Sequence, residues 1–312
     1  MSHRTHLPQL DGGLFLTDGG IETTLIFHDG LDLPLFAAFT LLENDEGTET
    51  LRRYFEPYAA LAAERGTGFV LESPTWRASP RWAGELGYSD SELDRLNRRA
   101  ITLMEEISDS HHKAGASWVI SGCVGPQDDG YNPTELLSAT AAQDYHSAQI
   151  GTFADTAADM VSAITMTYVE EALGITRAAQ AAGMPVAIGL TVETDGRLPS
   201  GQALGEAIQQ VDDETGDGPA YYLVNCAHPT HFDTVVAADG AWKERIRGLR
   251  ANASAKSHAE LDEATELDPG DPADLGRRYS ELHASLHNLN VLGGCCGTDQ
   301  RHIRAIAEAW VS

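Results

Sequence analysis

The chain has 312 residues, 42% of them hydrophobic, and a formal net charge of -26 at pH 7. This length and apolar content suit one large domain or two small ones, each with a real hydrophobic core. The acidic excess argues against nucleic acid and against anionic membrane surfaces as partners, because both attract basic patches.

Cysteine usage and the amino terminus bear on the cellular compartment. The segment Met1–His6 lacks the apolar stretch of a signal peptide, and no apolar run reaches membrane-spanning length. Four cysteines in 312 residues do not form a disulfide framework. We therefore expect a cytoplasmic protein with free thiols. Its few lysines and clustered acidic residues are typical of proteins from a salty cytoplasm, with an ordinary acidic surface as the alternative.

Short apolar runs alternate with longer amphipathic stretches along the chain. Strands are predicted to begin near Leu14, Gly68, Ser117, Asp159, Pro185, Tyr221, Arg245 and Asn290. Helices are predicted over 49–65, 91–114, 134–157, 169–182 and 202–214, and Ser89 with Glu92 forms a capping box before the second of them. Eight strands alternating with helices predict an α/β fold, a single (β/α)8 TIM barrel over residues 1–312.

The most informative local feature is a pair of adjacent cysteines, Cys295 and Cys296, between glycines at the end of the last apolar run. Cys226 follows the sixth predicted strand, and could add a third sulfur if the fold brings the two runs together. Three thiolates and one open position are typical of a catalytic zinc, and soft sulfur ligands favour zinc over magnesium or calcium.

Other interpretations of these residues remain open. Free cysteine packs well in cores, so the pair could be buried filler, although flanking glycines count against this. Cys123, after the third predicted strand, is interpreted as a packed thiol. His228 and His231 lie just after Cys226 and are competing, lower-ranked metal ligands.

The barrel prediction places several polar side chains on one rim. Active sites of such barrels lie at the carboxyl ends of the strands. Cys226, Cys295 and Cys296 fall at such ends, as do Asp18 and Glu72, which follow strands one and two. The rim is therefore predicted to carry a metal site, two carboxylates and glycine-rich turns that allow a ligand close to the backbone.

Three segments together resemble the homocysteine S-methyltransferase family over nearly the whole chain. They are Leu16–Glu22, Val224–Cys226 and Gly293–Gly297. The resemblance implies a zinc-dependent methyl transfer in which Cys226, Cys295 and Cys296 hold the metal. The acceptor thiol, most simply homocysteine giving methionine, would take the fourth position. The methyl donor would be a sulfonium or quaternary ammonium compound such as S-methylmethionine, S-adenosylmethionine or a betaine.

The resemblance also implies substrate-binding residues. Asp18, with Gly19 beside it, matches the family aspartate that holds the acceptor near its amino group, and Asn252 matches an asparagine of the strand-seven motif. Glu22 and Glu72 are candidates only by their position near strand ends, with local capping as the alternative. A cationic donor would suit aromatic walls, for which the candidates are Trp76, Trp82 and Tyr168, although plain packing is the alternative for these rings.

One departure from the family pattern concerns the acceptor. Family members that use homocysteine commonly carry a Glu-Thr pair at the end of strand four, and this chain has Ile164-Thr165, in which the resemblance keeps Thr165 as a substrate-binding residue. Loss of that glutamate removes a charge-assisted contact worth about 1.5 to 3 kcal/mol. We therefore expect poor use of homocysteine, unless Glu72 or Glu22 supplies the carboxylate from a neighbouring strand end.

Three hypotheses follow. The first is a zinc-dependent methyltransferase acting on homocysteine. The second keeps this chemistry but uses another thiol, or a selenol, that lacks a free amino group. The third is a noncatalytic zinc-binding barrel. The sequence does not distinguish a monomer from a homo-oligomer, and it does not name the donor.

Overall fold

The chain folds into a closed barrel of parallel strands surrounded by helices, as seen in a computed structural model that describes residues 3–111 and 116–310. The strands pair in sequence order, and the last closes on the first. They are β1 (Phe15–Leu16), β2 (Gly68–Glu72), β3 (Trp118–Val124), β4 (Met160–Met166), β5 (Val186–Leu190), β6 (Tyr221–Asn225), β7 (Ile246–Ala251) and β8 (Val291–Gly294). All eight lie where the sequence predicts them, and the (β/α)8 barrel is confirmed.

The helices that follow the strands form the outer layer. They are α1 (Ile21–Thr23), α2 (Asp45–Arg65), α3 (Pro80–Glu85), α4 (Asp90–His111), α5 (Ala139–Ala154), α6 (Val169–Ala181), α7 (Leu204–Thr215), α8 (Asp233–Ala237), α9 (His258–Asp262), α10 (Pro272–Leu282) and α11 (Gln300–Trp310). Among the described residues, no helix combines the length and apolar character needed to cross a membrane.

Helix boundaries follow local capping. α4 begins behind the predicted capping box, in which the Ser89 backbone donates to the Glu92 carboxylate at 2.8 Å. The predicted end of this helix, residues 112–114, lies outside the described residues. α5 starts five residues later than predicted, because the backbone N–H groups of Thr134 and Glu135 donate to the Asp128 carboxylate and Ser138 caps the helix instead.

Side chains that point into the barrel fill its lower part. They form one buried apolar cluster that includes Val70, Val119, Met160, Tyr221 and Val291. Strands of parallel barrels are covered on both faces and therefore consist of nearly continuous apolar runs, as they do here. Above these packed layers, a cavity opens near the carboxyl ends of the strands.

Candidate metal centre and acceptor pocket

A cavity of about 180 Å³ opens at the carboxyl ends of the strands. Its walls include five of the six residues predicted to bind substrate, namely Asp18, Gly19, Glu22, Glu72 and Thr165, and all three predicted metal ligands. The sixth, Asn252, lies behind the wall. The predicted rim is therefore one continuous site.

Three sulfur atoms meet at one side of this cavity. The Sγ atom of Cys226 lies 3.2 Å from that of Cys295 and 3.6 Å from that of Cys296, and all three lie within 4.8 Å of one another. The cysteines come from two strand ends that β7 separates, so the pairing of β6 and β8 with β7 in one curved sheet brings them together. Neither His228 nor His231 belongs to the group. His231 instead contacts the carbonyl oxygen of Ala255 at 2.9 Å.

The spacing of the sulfurs fits a tetrahedral metal. Zn–S bonds of about 2.3 Å place sulfur ligands roughly 3.8 Å apart, slightly more than the separations found here. Hydrogen bonds from Cys226 and Cys295 hold the pKa of Cys296 well below the usual thiol value, whereas hydrogen bonding with its neighbours and burial raise the pKa of Cys226. Three touching sulfurs can all be anionic only when a cation lies between them, so this donor set suits a soft divalent metal.

The Tyr131 hydroxyl covers the open face of the sulfur group. Its oxygen lies 3.1 Å from the Sγ atom of Cys226 and 3.4 Å from that of Cys296. The ring stacks on His258, with centroids 4.1 Å apart and planes 11° from parallel. An incoming acceptor must therefore pass or displace this side chain.

The backbone of Cys226 is held in an unusual conformation. Its φ of 55° lies in the left-handed region, which is uncommon for residues other than glycine. The Cys226 carbonyl oxygen accepts hydrogen bonds from Asn252 Nδ2 at 2.9 Å and from His258 Nε2 at 2.7 Å. Asn252 therefore positions a candidate metal ligand, Cys226, from outside the cavity.

Thr165 at the end of β4 has the same left-handed backbone, with φ of 69°. The side-chain amide of Asn225 holds it by accepting from the Thr165 backbone N–H at 3.0 Å and donating to its hydroxyl at 2.9 Å. This amide crosses β5 at Gly189, where a Cβ atom would lie 2.6 Å from Asn225 Oδ1. Glycine is therefore required at position 189 for the contact between β4 and β6.

Asp18 is already bound on both carboxylate oxygens. Its Oδ1 atom accepts from Arg250 at 2.7 Å, and its Oδ2 atom accepts from the Tyr54 hydroxyl at 2.9 Å. Arg250 also donates from Nε to the carbonyl oxygen of Gly294 at 3.0 Å. Burial raises the pKa of Asp18, although Arg250 and Tyr54 oppose that shift. Arg250 thus ties β7 to the ends of β1 and β8.

Two further carboxyl groups line the cavity. Glu72 is buried, and one of its oxygens lies 4.0 Å from Arg250 Nη1. Glu22 belongs to the helical turn after β1. Burial is the largest cause that raises the pKa of each to about 7, with Arg250 opposing the shift at Glu72. Both groups therefore change charge near neutral pH.

The aromatic side chains differ in their relation to the cavity. Trp76 lines it, whereas Trp82 and Tyr168 do not. The Arg77 guanidinium lies 4.2 Å from the Trp76 ring and 3.6 Å from the Trp82 ring, so a cation of the protein itself occupies the space between them. The predicted aromatic wall for a cationic donor is therefore reduced to Trp76.

Sequence reasoning missed Arg250, Tyr131 and His258. A signal existed for Arg250, because a charged residue inside the seventh apolar run implies a buried partner. No such signal exists for Tyr131, which lies in the loop after β3, or for His258, which begins α9 after β7. The interpretation of Cys123 as a packed thiol is supported, since it is buried, although it also borders the cavity.

Comparison with known proteins points to a single family. The family model described as homocysteine S-methyltransferase matches residues 15–310. A betaine–homocysteine S-methyltransferase of Rattus norvegicus is 29% identical, over 95% of this chain and 72% of its own length. An S-methylmethionine–homocysteine S-methyltransferase of the same organism is 27% identical, over 97% of this chain and 80% of its own length.

Solved structures show the same fold. The homocysteine methyltransferase MmuM of Escherichia coli, in its oxidized form, superimposes with a TM-score of 0.75 at 17% identity, covering 96% of this chain and 97% of that one. Its metallated form gives a TM-score of 0.73.

Proposed function

Because the chain belongs to the homocysteine S-methyltransferase family, we propose that it transfers a methyl group from a sulfonium or quaternary ammonium donor to homocysteine, using zinc held by Cys226, Cys295 and Cys296. The family makes the chain a methyltransferase. The identities of metal, donor and acceptor are the proposed part.

The observation that carries the proposal is the convergence of three sulfurs at a cavity in the barrel mouth, which carboxyl and apolar side chains line. Cys226, Cys295 and Cys296 would hold the metal and leave one position open. When bound, zinc would lower the pKa of the acceptor thiol and so supply a nucleophile at neutral pH.

The side chains around the cavity must orient the two substrates. Methyl transfer between sulfur and a carbon of the donor needs the two atoms in line, so the contribution of the walls is mainly orientation. The walls combine two carboxyl groups linked through Arg250, those of Asp18 and Glu72, with an apolar group formed by Ile164, Cys123 and Trp76. This division suits an acceptor with a thiol and a charged end.

A second candidate acceptor is a thiol without an amino group. The observation that favours it is the buried Ile164 side chain, which lines the cavity where a carboxylate would bind an ammonium group. A pocket that leaves an ammonium without a partner rejects it strongly.

A thiol-by-donor panel tests the proposal. Zinc-loaded protein is mixed with homocysteine or other thiols and with S-methylmethionine, S-adenosylmethionine or betaine, and products are identified by mass spectrometry. We expect a methylated thiol from at least one onium donor, in amounts that exceed the enzyme. Absence of any methylated thiol from metal-replete protein would contradict the proposal.

A further inference from the structure

Glu72 has a feature that the proposed chemistry does not explain. Its side chain is 5% exposed and lines the cavity. Burial raises its pKa, which the Ser162 and Ser121 hydroxyls lower in favour of the charged form, yet its Oε2 atom has no hydrogen-bond partner among the described residues. A buried carboxylate oxygen without a donor is costly, so such atoms usually mark a place where a ligand binds.

The charges around Glu72 do not balance. Asp18 and Glu72 share one guanidinium, that of Arg250, at 2.7 Å and 4.0 Å respectively. Two carboxylates therefore face one buried cation. One more positive charge at Oε2 would balance the second carboxylate. An ammonium group carries that charge and also donates hydrogen bonds.

The position of Glu72 also matches the missing carboxylate of β4. Glu72 pairs with Ser121 of β3, and the Ser121 hydroxyl lies 2.8 Å from that of Ser162 on β4. Ser162 and Ile164 are two residues apart and so point to the same side of their strand. The Glu72 carboxyl therefore projects from β2 toward the space below Ile164.

This carboxyl is also close to the metal side of the cavity. Arg250 contacts Glu72 through Nη1 and the carbonyl oxygen of Gly294, the residue before Cys295, through Nε. A single guanidinium thus separates Glu72 from the backbone of the cysteine turn. An acceptor with its sulfur at the cysteines and its polar end at Glu72 would lie within this one cavity.

We infer that Glu72 binds the α-ammonium group of the acceptor from β2, in place of a carboxylate at position 164. This inference rests on the proposed function. Asp18 is less suited to be the main partner, because each of its oxygens already accepts a hydrogen bond. Ile164 then serves as an apolar wall, and an amino-acid thiol is the acceptor class.

The experiment compares homocysteine with 4-mercaptobutanoate, which has the same thiol, chain length and carboxylate but no amino group. kcat/KM is measured for both with zinc-loaded wild-type protein and a saturating donor. A charge-assisted contact predicts that the wild type prefers homocysteine by about 10- to 150-fold. Equal use of both thiols, or a preference for 4-mercaptobutanoate, would overturn the inference while leaving the proposed methyl transfer intact.

Variants then assign the preference to one residue. Glu72→Gln keeps the shape and should abolish the preference, chiefly by raising KM for homocysteine, while KM for the donor stays unchanged. Glu22→Gln removes the rival carboxyl of the cavity wall, and whatever it does to overall turnover, the assignment predicts that homocysteine stays preferred over 4-mercaptobutanoate. Loss of preference in Glu22→Gln alone, or a Glu72→Gln effect confined to the donor KM, would contradict the assignment.

A double variant moves the carboxylate from β2 to β4 and tests for a gain of function. Adding Ile164→Glu to Glu72→Gln should restore at least part of the preference for homocysteine, because a carboxylate returns to the same space from β4. Titration calorimetry of homocysteine binding to both proteins gives a readout independent of turnover. Should neither variant fold, the wild-type comparison of the two thiols still tests whether the pocket binds an ammonium group. Methylation of neither thiol would instead refute the proposed function.

Discussion

The side-chain amide of Asn225 bonds both the backbone N–H and the hydroxyl of Thr165, joining the ends of β6 and β4 across β5. The residue that follows Asn225 is Cys226, the proposed metal ligand, and both Thr165 and Cys226 have left-handed backbones. Such strain persists only where neighbouring contacts enforce it, and it often lies at functional sites. One buried amide therefore connects the geometry of the acceptor pocket with that of the sulfur group.

Replacing Asn225 should disturb both the cavity wall at Thr165 and the sulfur group at Cys226. Asn225→Ala leaves the Thr165 N–H and hydroxyl buried without this partner, which costs about 1 to 3 kcal/mol of unfolding free energy per unsatisfied group. We expect lower stability in urea together with at least a tenfold loss in kcat/KM. Gly189→Ala should give the same result, because its Cβ would occupy the space of the Asn225 amide. Full activity in Gly189→Ala would contradict this explanation of the glycine.

The metal assignment predicts about one zinc per chain, measured by mass spectrometry of the metal content. Replacing Cys226, Cys295 or Cys296 by serine should remove most zinc and activity, since each supplies one of three thiolates. Cys123→Ser is the matched control, because Cys123 borders the same cavity but lies outside the sulfur group. It should retain full zinc. A triple-serine variant with stoichiometric zinc would refute the assignment.

Asp18 is expected to act on the acceptor side and not on the metal. Asp18→Ala should weaken acceptor use strongly, on the scale of a charged hydrogen bond, about 1.5 to 3 kcal/mol in transition-state stabilisation. Its loss also frees Arg250, which would repel an ammonium. Zinc content should stay at the wild-type level. Unaltered acceptor kinetics would place Asp18 in a structural role that merely fixes Arg250.

The burial of Glu72 predicts that the free energy of unfolding depends on pH. Burial raises its folded-state pKa from 4.5 to about 7, so between these values the folded protein keeps a proton that the unfolded chain has released. The unfolding free energy therefore falls as pH rises through this window, by about 3 kcal/mol for this group. Glu72→Gln should lack that fall, so its stability relative to wild type should improve from pH 5 to pH 8.

Urea unfolding of metal-loaded protein at several pH values measures the difference. Glu206→Gln, at an exposed position on α7, is the control and should follow the wild-type profile. Parallel profiles for Glu72→Gln and wild type would show that the Glu72 carboxyl is ionised throughout the range.

The fold was predictable because its signals are local. Each strand of a parallel barrel is buried on both faces and appears in the sequence as a short apolar run, and eight such runs alternating with helices allow few architectures. Helix starts were predictable where the cap lies within three residues, as at Ser89 and Glu92. The start of α5 was not, because Asp128 draws in the backbone of Thr134 and Glu135 from six and seven residues away.

The sequence by itself determined the candidate metal ligands, since Cys226 and the pair Cys295 and Cys296 follow strands six and eight, which a single strand separates in a barrel. Only the tertiary structure decided how the charges are shared. Arg250 of β7 pairs with Asp18 after β1 and lies 4.0 Å from Glu72 of β2, so these charge relations join residues from different parts of the barrel. Pairing of buried charges depends on distances of a few ångströms, which spacing along the chain does not encode.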